Sequence, residues 1–147
     1  MLFRSSSATD TTAGRLMRAD FGYSRGNILG TVSQSGGVPT GAIIERGSNA
    51  NGSYTRFADG TQICWFEGPA VATEVAAGAL FQEGNSFVWN YPASFAANPR
   101  VAGSGGNTNR WIGLGNPSAS AVSYRIYSYL SNGALWAPRI IAVGRWF

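Results

Sequence analysis

The sequence predicts an all-β protein: an antiparallel β-sandwich that follows an irregular N-terminal arm. Its 147 residues include 20 glycines, with 13% aromatic and 12% charged residues, a composition of turn-rich β-proteins and not of helical or disordered chains. Short runs of β-branched and aromatic residues recur between turn residues over 42–147, as they do in sandwiches. One run, 121–130, alternates with period two. The length suits one domain with a sizeable core.

Residues 1–41 are predicted to form an attachment arm and neck ahead of a tip domain over 42–147. Isolated apolar residues stand among Ser, Thr, Gly and Arg at the start, without a sustained helical or strand period. Over 26–41, glycine recurs too often for a packed helix and Pro39 indicates a loop. An arm without its own core is expected to pack against another subunit or a base protein. A disordered tail over 1–7 is the alternative.

The strongest local signal is a β-hairpin. Two runs of aromatic and β-branched residues, 54–57 and 61–66, flank the turn sequence Ala-Asp-Gly at 58–60. Asp-Gly between such runs favours a hairpin because Gly accepts the positive φ that the turn requires. Alternation places Tyr54 and Arg56 on the same side of the first strand.

Seven further strands are expected around this hairpin. They are predicted at 42–45, 79–82, 86–91, 100–103, 110–114, 121–130 and 139–147. Within 121–130, one face would carry Val122, Tyr124, Ile126 and Ser128, and the other Ser123, Arg125, Tyr127 and Tyr129. A monomeric antiparallel sandwich usually keeps one face polar. Aromatic residues on both faces therefore suggest that the outer one meets another subunit or a ligand.

Several apolar residues are predicted to be buried. Trp65 and Trp89 lie within predicted strands and are assigned to the core. Cys64 is expected to act as a small buried hydrophobe. The chain ends on Trp146 and Phe147, and because termini fray unless they are tied down, we expect both rings to be buried.

The composition argues against catalysis, and no cofactor or metal is predicted. The chain has no histidine, which removes the commonest general base and the commonest metal ligand. Its seven carboxylates show no pairing of the kind that glycoside hydrolysis requires. The glycine runs at 103–107 and 113–115 are interpreted as turns, because no helical period follows them as a phosphate loop would require.

Charge and hydropathy argue against two kinds of partner, nucleic acids and membranes. The net charge of +4 comes from eleven arginines without a lysine, and these arginines form no basic run. Nucleic-acid binders concentrate such charge on one face, so no nucleic-acid partner is predicted. No apolar run of about 18 residues is present, so we expect no membrane insertion. The N-terminus lacks an apolar segment of signal-peptide length, so we expect exit from a cell by lysis.

Two segments combine aromatic and polar residues in a way that suits sugars. A sugar presents an apolar ring face flanked by hydroxyls, so its site needs an aromatic platform beside directional polar groups. Residues 107–111 and 131–136 are expected to be loops at one end of the sandwich, the usual place for recognition. For each tryptophan the alternative is an ordinary core position. The predicted ligand-binding residues are Asn107, Asn109, Arg110, Trp111, Asn132 and Trp136.

Three stretches carry a family resemblance. Residues 51–65 read NGSYTRFADGTQICW and resemble the opening hairpin of receptor-binding tip domains of phage tail fibres. Residues 10–18, DTTAGRLMR, and 20–22, DFG, are similar to the segment that precedes such tips. WNYPASF at 89–95, followed by NPRV at 98–101, resembles the pattern of H-type lectin-like sandwiches.

The resemblance implies a virion fibre or spike protein of a phage or gene-transfer particle. Such an adhesin would attach the particle to host surface polysaccharide, form a homotrimer, and be made in the bacterial cytoplasm before release by lysis. The tip-like pattern begins near residue 8, so we expect a short spike held by a separate virion base protein. Leu2 and Phe3 are the predicted anchors. The alternative is a structural capsid decoration or fibre adaptor that binds only other virion proteins.

Overall fold

The computed structural model describes residues 26–147, and within this range every regular element is a β-strand. The all-β prediction is confirmed. The strands are β1 (Gln34–Ser35), β2 (Val38–Pro39), β3 (Ile44–Asn49), β4 (Gly52–Phe57), β5 (Thr61–Glu67), β6 (Val71–Thr73), β7 (Val75–Ala77), β8 (Leu80–Gln82), β9 (Phe87–Asn90), β10 (Arg100–Ser104), β11 (Arg110–Leu114), β12 (Ala121–Ser128), β13 (Asn132–Trp136) and β14 (Arg139–Arg145). The described chain has no helix long and apolar enough to cross a membrane.

The first sheet has the antiparallel order β10-β14-β5-β4-β3. The predicted hairpin, β4 and β5, forms its centre. Gly60 in the turn has φ of 94°, which a residue with a side chain adopts only under strain. The Thr61 N–H donates to Asp59 Oδ1 at 2.7 Å, and this hydrogen bonding lowers the pKa of Asp59.

The second sheet has the order β11-β12-β8-β7, and β9 also pairs with β12. Two further pairs, β6 with β13 and β1 with β2, form small separate sheets. The expectation that 131–136 is a loop is wrong, because 132–136 form β13 opposite β6. The interpretation of 113–115 as a turn is also wrong at Gly113, which lies within β11.

One core joins the two large sheets, consistent with a β-sandwich. Its buried residues are Cys64, Ile140 and Ala142 from the first sheet, Trp89, Val122, Tyr124 and Ile126 from the second, and Tyr91 and Phe95 from the connecting segment. Trp89 is 1% exposed and stacks on Phe66 at 5.8 Å. The predicted burial of Trp89 and Cys64 is confirmed, and burial raises the pKa of the Cys64 thiol.

The predicted core position of Trp65 is wrong, since its side chain is 44% exposed. Successive side chains of a strand point to opposite faces. Cys64 faces the core, so Trp65 lies on the outer face of the first sheet. Because β5 carries apolar residues on both faces, the sequence does not show which face is buried until the opposing sheet is known.

The neck joins the sandwich by backbone hydrogen bonds to the start of β3. The N–H of Gly30 donates to the Ile44 carbonyl, and the N–H of Ile44 donates to the Ile28 carbonyl, both at 3.0 Å. Val32 is buried. The expected loop around Gly36 contains the β1–β2 hairpin instead. Leu2 and Phe3 lie outside the described residues.

The C-terminus is tied to the first hairpin. The Trp146 indole N–H donates to the Phe57 carbonyl at 2.8 Å, and its backbone N–H donates to the Gly60 carbonyl at 2.9 Å. The rings of Trp146 and Phe147 contact each other edge to face. Both residues are half-buried rather than fully buried as expected.

Candidate functional site

Arg110 holds the two predicted segments together. It begins β11 with its side chain on the inner side and is 5% exposed. Its Nη1 donates to the Val71 carbonyl at 2.7 Å, and its Nη2 donates to the carbonyls of Asn132 and Ala134 at 3.1 and 2.7 Å. Burial lowers the pKa of Arg110. Its guanidinium joins β11 to β6 and β13 inside the protein and does not face solvent as a ligand-binding group would.

Trp111 points the other way because it is the next residue along the strand. It is 41% exposed and lies on the outer face of the second sheet, opposite Tyr127 of β12. The two rings are nearly parallel, with centroids 6.1 Å apart and planes inclined by 20°. Together they form an aromatic platform in which Trp111 is exposed and Tyr127 is half-buried.

A groove adjoins this platform because two glycines leave room for it. A Cβ atom on Gly113 would lie 2.7 Å from Tyr127 Cε2, and one on Gly115 would meet Ser123 Oγ. The open groove has a volume of about 320 Å³. Its lining residues include Ser86, Gly113, Gly115, Ser123, Arg125 and Tyr127.

Arg125 supplies the cation of the groove. Its Nη1 donates to Gln82 Oε1 at 3.0 Å, and Gln82 stands opposite Tyr127 in the sheet. The sequence places Arg125 and Tyr127 on the same face of their strand, but it does not show that this face is the outer one and does not place them in the site. Alternation groups these two residues with each other. Placing them in the site also requires the pairing of Trp111 with Tyr127, which the sequence does not reveal.

The asparagines of the turn before β11 are partly engaged with neighbours. The Tyr129 hydroxyl donates to Asn109 Oδ1 at 3.1 Å, which adds a polar group near the platform. The Thr108 hydroxyl donates to Asn107 Oδ1 at 3.1 Å. Asn107 also accepts the N–H of Arg110 through its carbonyl at 3.1 Å, so it shapes the turn.

The second predicted segment lies beside this turn. Trp136 is 42% exposed at the end of β13, and a Cβ on Gly106 would come within 3.3 Å of its Cβ. The Ala134 N–H donates to Asn132 Oδ1 at 2.9 Å. The structure therefore brings the two segments together, although Trp111 belongs to the second sheet and Trp136 to the small β6–β13 sheet.

The groove offers stacking and hydrogen bonding. None of the described residues that line it is a carboxylate. Among residues 26–147 no group of three or more His, Cys, Asp or Glu side chains could hold a metal ion. The ion pairs of this part of the chain lie on the first sheet, where Arg56 meets Glu45 at 3.6 Å and Arg139 meets Glu67 at 3.1 Å.

The outer face of the first sheet is different in kind. Trp65 pairs with Ile141, and Ile63 pairs with Val143 in the same sheet. We call these four residues the apolar stripe; Trp65, Ile141 and Val143 are exposed. An open groove of about 300 Å³ runs beside Trp65 and Ile141 and ends at Arg139.

Comparisons with protein-family models, curated proteins and solved structures gave no match for this chain.

Proposed function

We propose that the protein is a virion fibre or spike adhesin that attaches a phage or phage-like particle to host cell-surface polysaccharide. The observation that carries the proposal is the Trp111–Tyr127 platform beside a groove lined by Arg125 and Ser123. An aromatic face accepts the apolar side of a sugar ring, and the polar groups beside it accept or donate hydrogen bonds to hydroxyls. The resemblance to tail-fibre tips and H-type lectin-like sandwiches agrees with this function.

A shallow, open site of this kind binds one sugar weakly. Presenting several copies on one particle raises the avidity without new contacts. We therefore propose a homotrimer, with the N-terminal arm and its Leu2 and Phe3 bound to a virion base protein. The protein would be made in the bacterial cytoplasm and released by lysis.

The test is binding of labelled full-length protein to host cells with and without their surface polysaccharide. We expect polysaccharide-dependent binding that falls for Trp111→Ala and, to a smaller extent, for Trp136→Ala. Val38→Ala is the control because Val38 is an exposed apolar residue of the separate β1–β2 sheet and does not line the groove. Failure of the folded protein to bind any cells would contradict the adhesin proposal.

The structural alternative, a capsid decoration or fibre adaptor, is favoured by the apolar stripe. An exposed apolar patch on a sheet often marks a protein–protein contact. The two proposals predict different consequences for Trp111→Ala. If the protein is only structural, Trp65→Ser impairs incorporation into particles and Trp111→Ala leaves attachment of intact particles to cells unchanged, whereas the adhesin proposal expects Trp111→Ala to reduce attachment.

A further inference from the structure

We propose that the groove selects acidic polysaccharides, with Arg125 binding a sugar carboxylate; this inference rests on the proposed adhesin function. The starting observation is the charge of the groove. Arg125 lines it, while the described lining residues include no acidic side chain. The ligand would therefore supply the opposite charge.

The immediate surroundings of Arg125 leave its charge uncompensated. The hydrogen bond recorded for its guanidinium within residues 26–147 goes to Gln82 Oε1, a neutral acceptor. Glu83, the acid nearest to Gln82 in the chain, is buried, and its carboxylate accepts the N–H of Asn85 at 2.8 Å and the side-chain amide of Asn85 at 3.0 Å. Gln82 thus orients the guanidinium without neutralising it.

The geometry of a guanidinium suits a carboxylate better than a hydroxyl. Its planar set of N–H donors matches the two carboxylate oxygens, and such charge-assisted hydrogen bonds are about twice as strong as neutral ones. One Nη1 hydrogen bond to Gln82 leaves the other donors for a ligand. The hydroxyls of Ser86 and Ser123 line the same groove and can bind the sugar hydroxyls.

The platform adds the second element of recognition. Tyr127 is shared by the groove and the stacked pair with Trp111. A sugar ring stacked on this pair would bring a carboxylate on the same or the next residue of the polymer toward Arg125. The ligand class that combines an apolar ring face, hydroxyls and a carboxylate is a polysaccharide containing uronic acid or a similar acidic sugar.

The experiment uses full-length protein and a panel of purified bacterial surface polysaccharides, each in its native form and after chemical reduction of its carboxyl groups to alcohols. We expect binding to an acidic member that is lost on reduction and falls about ten- to a hundredfold for Arg125→Gln. Arg125→Lys should be intermediate, because it keeps the charge but loses the planar donor pair. Arg100→Gln, which removes an equal charge from an exposed position on β10, should leave binding unchanged.

Two other outcomes separate the inference from the function on which it rests. If binding survives carboxyl reduction, or if Arg125→Gln and Arg100→Gln have the same effect, the acidic-ligand inference is overturned while the adhesin remains. If the folded protein binds no member of the panel in either form, both the inference and the adhesin proposal fail.

Discussion

The outer faces of the two large sheets differ although both sheets pack on the same core. On the second sheet, Trp111 and Tyr127 stack beside a groove that Gly113 opens and Arg125 lines. On the first sheet, the apolar stripe is bordered by charged side chains such as Arg139, which is paired with Glu67. One face combines aromatic rings with polar groups and a recess, and the other is mainly apolar.

The two outer faces suit two different kinds of contact. A groove that contains Arg125 without an acidic partner favours a small or polymeric polar ligand. Such a ligand can fill the groove and form hydrogen bonds with the groups that line it. An open apolar stripe without acceptors favours a protein surface. We therefore propose that the ligand binds to the second sheet and that subunits meet through the first. Four predictions test this assignment, beginning with the core on which both faces depend.

Replacing the shared core residue Trp89 should affect both faces. Trp89→Ala removes a ring that is fully buried between the sheets and a hydrogen bond from its indole N–H to the Asn51 carbonyl at 2.8 Å. We expect a loss of about 3–5 kcal/mol in the free energy of unfolding, measured by urea denaturation. Val88→Ala, at the adjacent exposed position, should change it by less than about 0.5 kcal/mol. Equal effects of the two substitutions would contradict the described core.

Removing Arg110 should lower the stability and weaken ligand binding while leaving self-association in place. Arg110→Met leaves the carbonyls of Val71, Asn132 and Ala134 without the guanidinium, and we expect a loss of about 2–4 kcal/mol of stability. Polysaccharide binding should weaken because β11 and β13 lose their connection, whereas self-association should persist. Denaturation measures the stability, calorimetry the polysaccharide binding and light scattering the self-association. Arg100→Met, at an exposed position, is the control, and a stable, fully binding Arg110→Met variant would contradict the role of Arg110.

The two exposed tryptophans should have separate effects. Trp111→Ala is expected to weaken polysaccharide binding about tenfold without changing the mass of the oligomer, because it removes the stacking surface. Trp65→Ser should weaken self-association by a similar factor and leave the intrinsic binding of each groove unchanged. Calorimetry with a short oligosaccharide and light scattering distinguish these readouts. If the effects are exchanged, the assignment of the two faces must be reversed.

Alkaline pH should cause the smallest effect, and it acts through the core. Burial raises the pKa of Tyr91 to about 12 and also raises the pKa of Cys64 and Tyr124. These groups stay protonated in the folded protein, while the unfolded chain loses the Cys64 proton at about pH 8.5 and the tyrosine protons at about pH 10, so stability is complete below about pH 8 and declines above it. We expect a decline on the order of 1 kcal/mol between pH 8 and pH 10.

Tyr91→Phe provides the control for this pH dependence. The Tyr91 hydroxyl is buried without a hydrogen-bond partner in the described structure, so removing it should preserve or raise the stability at pH 7. The variant should also show a smaller alkaline decline in urea denaturation. An unchanged decline would mean that Tyr91 does not contribute to it.

Much of the candidate site could be predicted from local sequence, but which residues belong to it could not. Trp111, Asn109 and Trp136 are predicted because aromatic and polar residues adjoin a turn, and the structure leaves both tryptophans exposed. Arg110 looked equally suitable, and its burial became apparent only from the carbonyls of distant segments. Arg125, by contrast, entered the candidate site through the pairing of β11 with β12, which brings the Trp111 platform beside it.

The sequence by itself determined the local features: the all-β class, the hairpin at Asp59-Gly60 and the division of β12 into two faces. These follow from turn chemistry and period-two alternation, which act over a few residues. Only the tertiary structure decided that Trp65 faces outward and that β13 pairs with β6. Alternation divides a strand into two faces, but which face is buried depends on the sheet packed against it, and that sheet comes from distant parts of the chain.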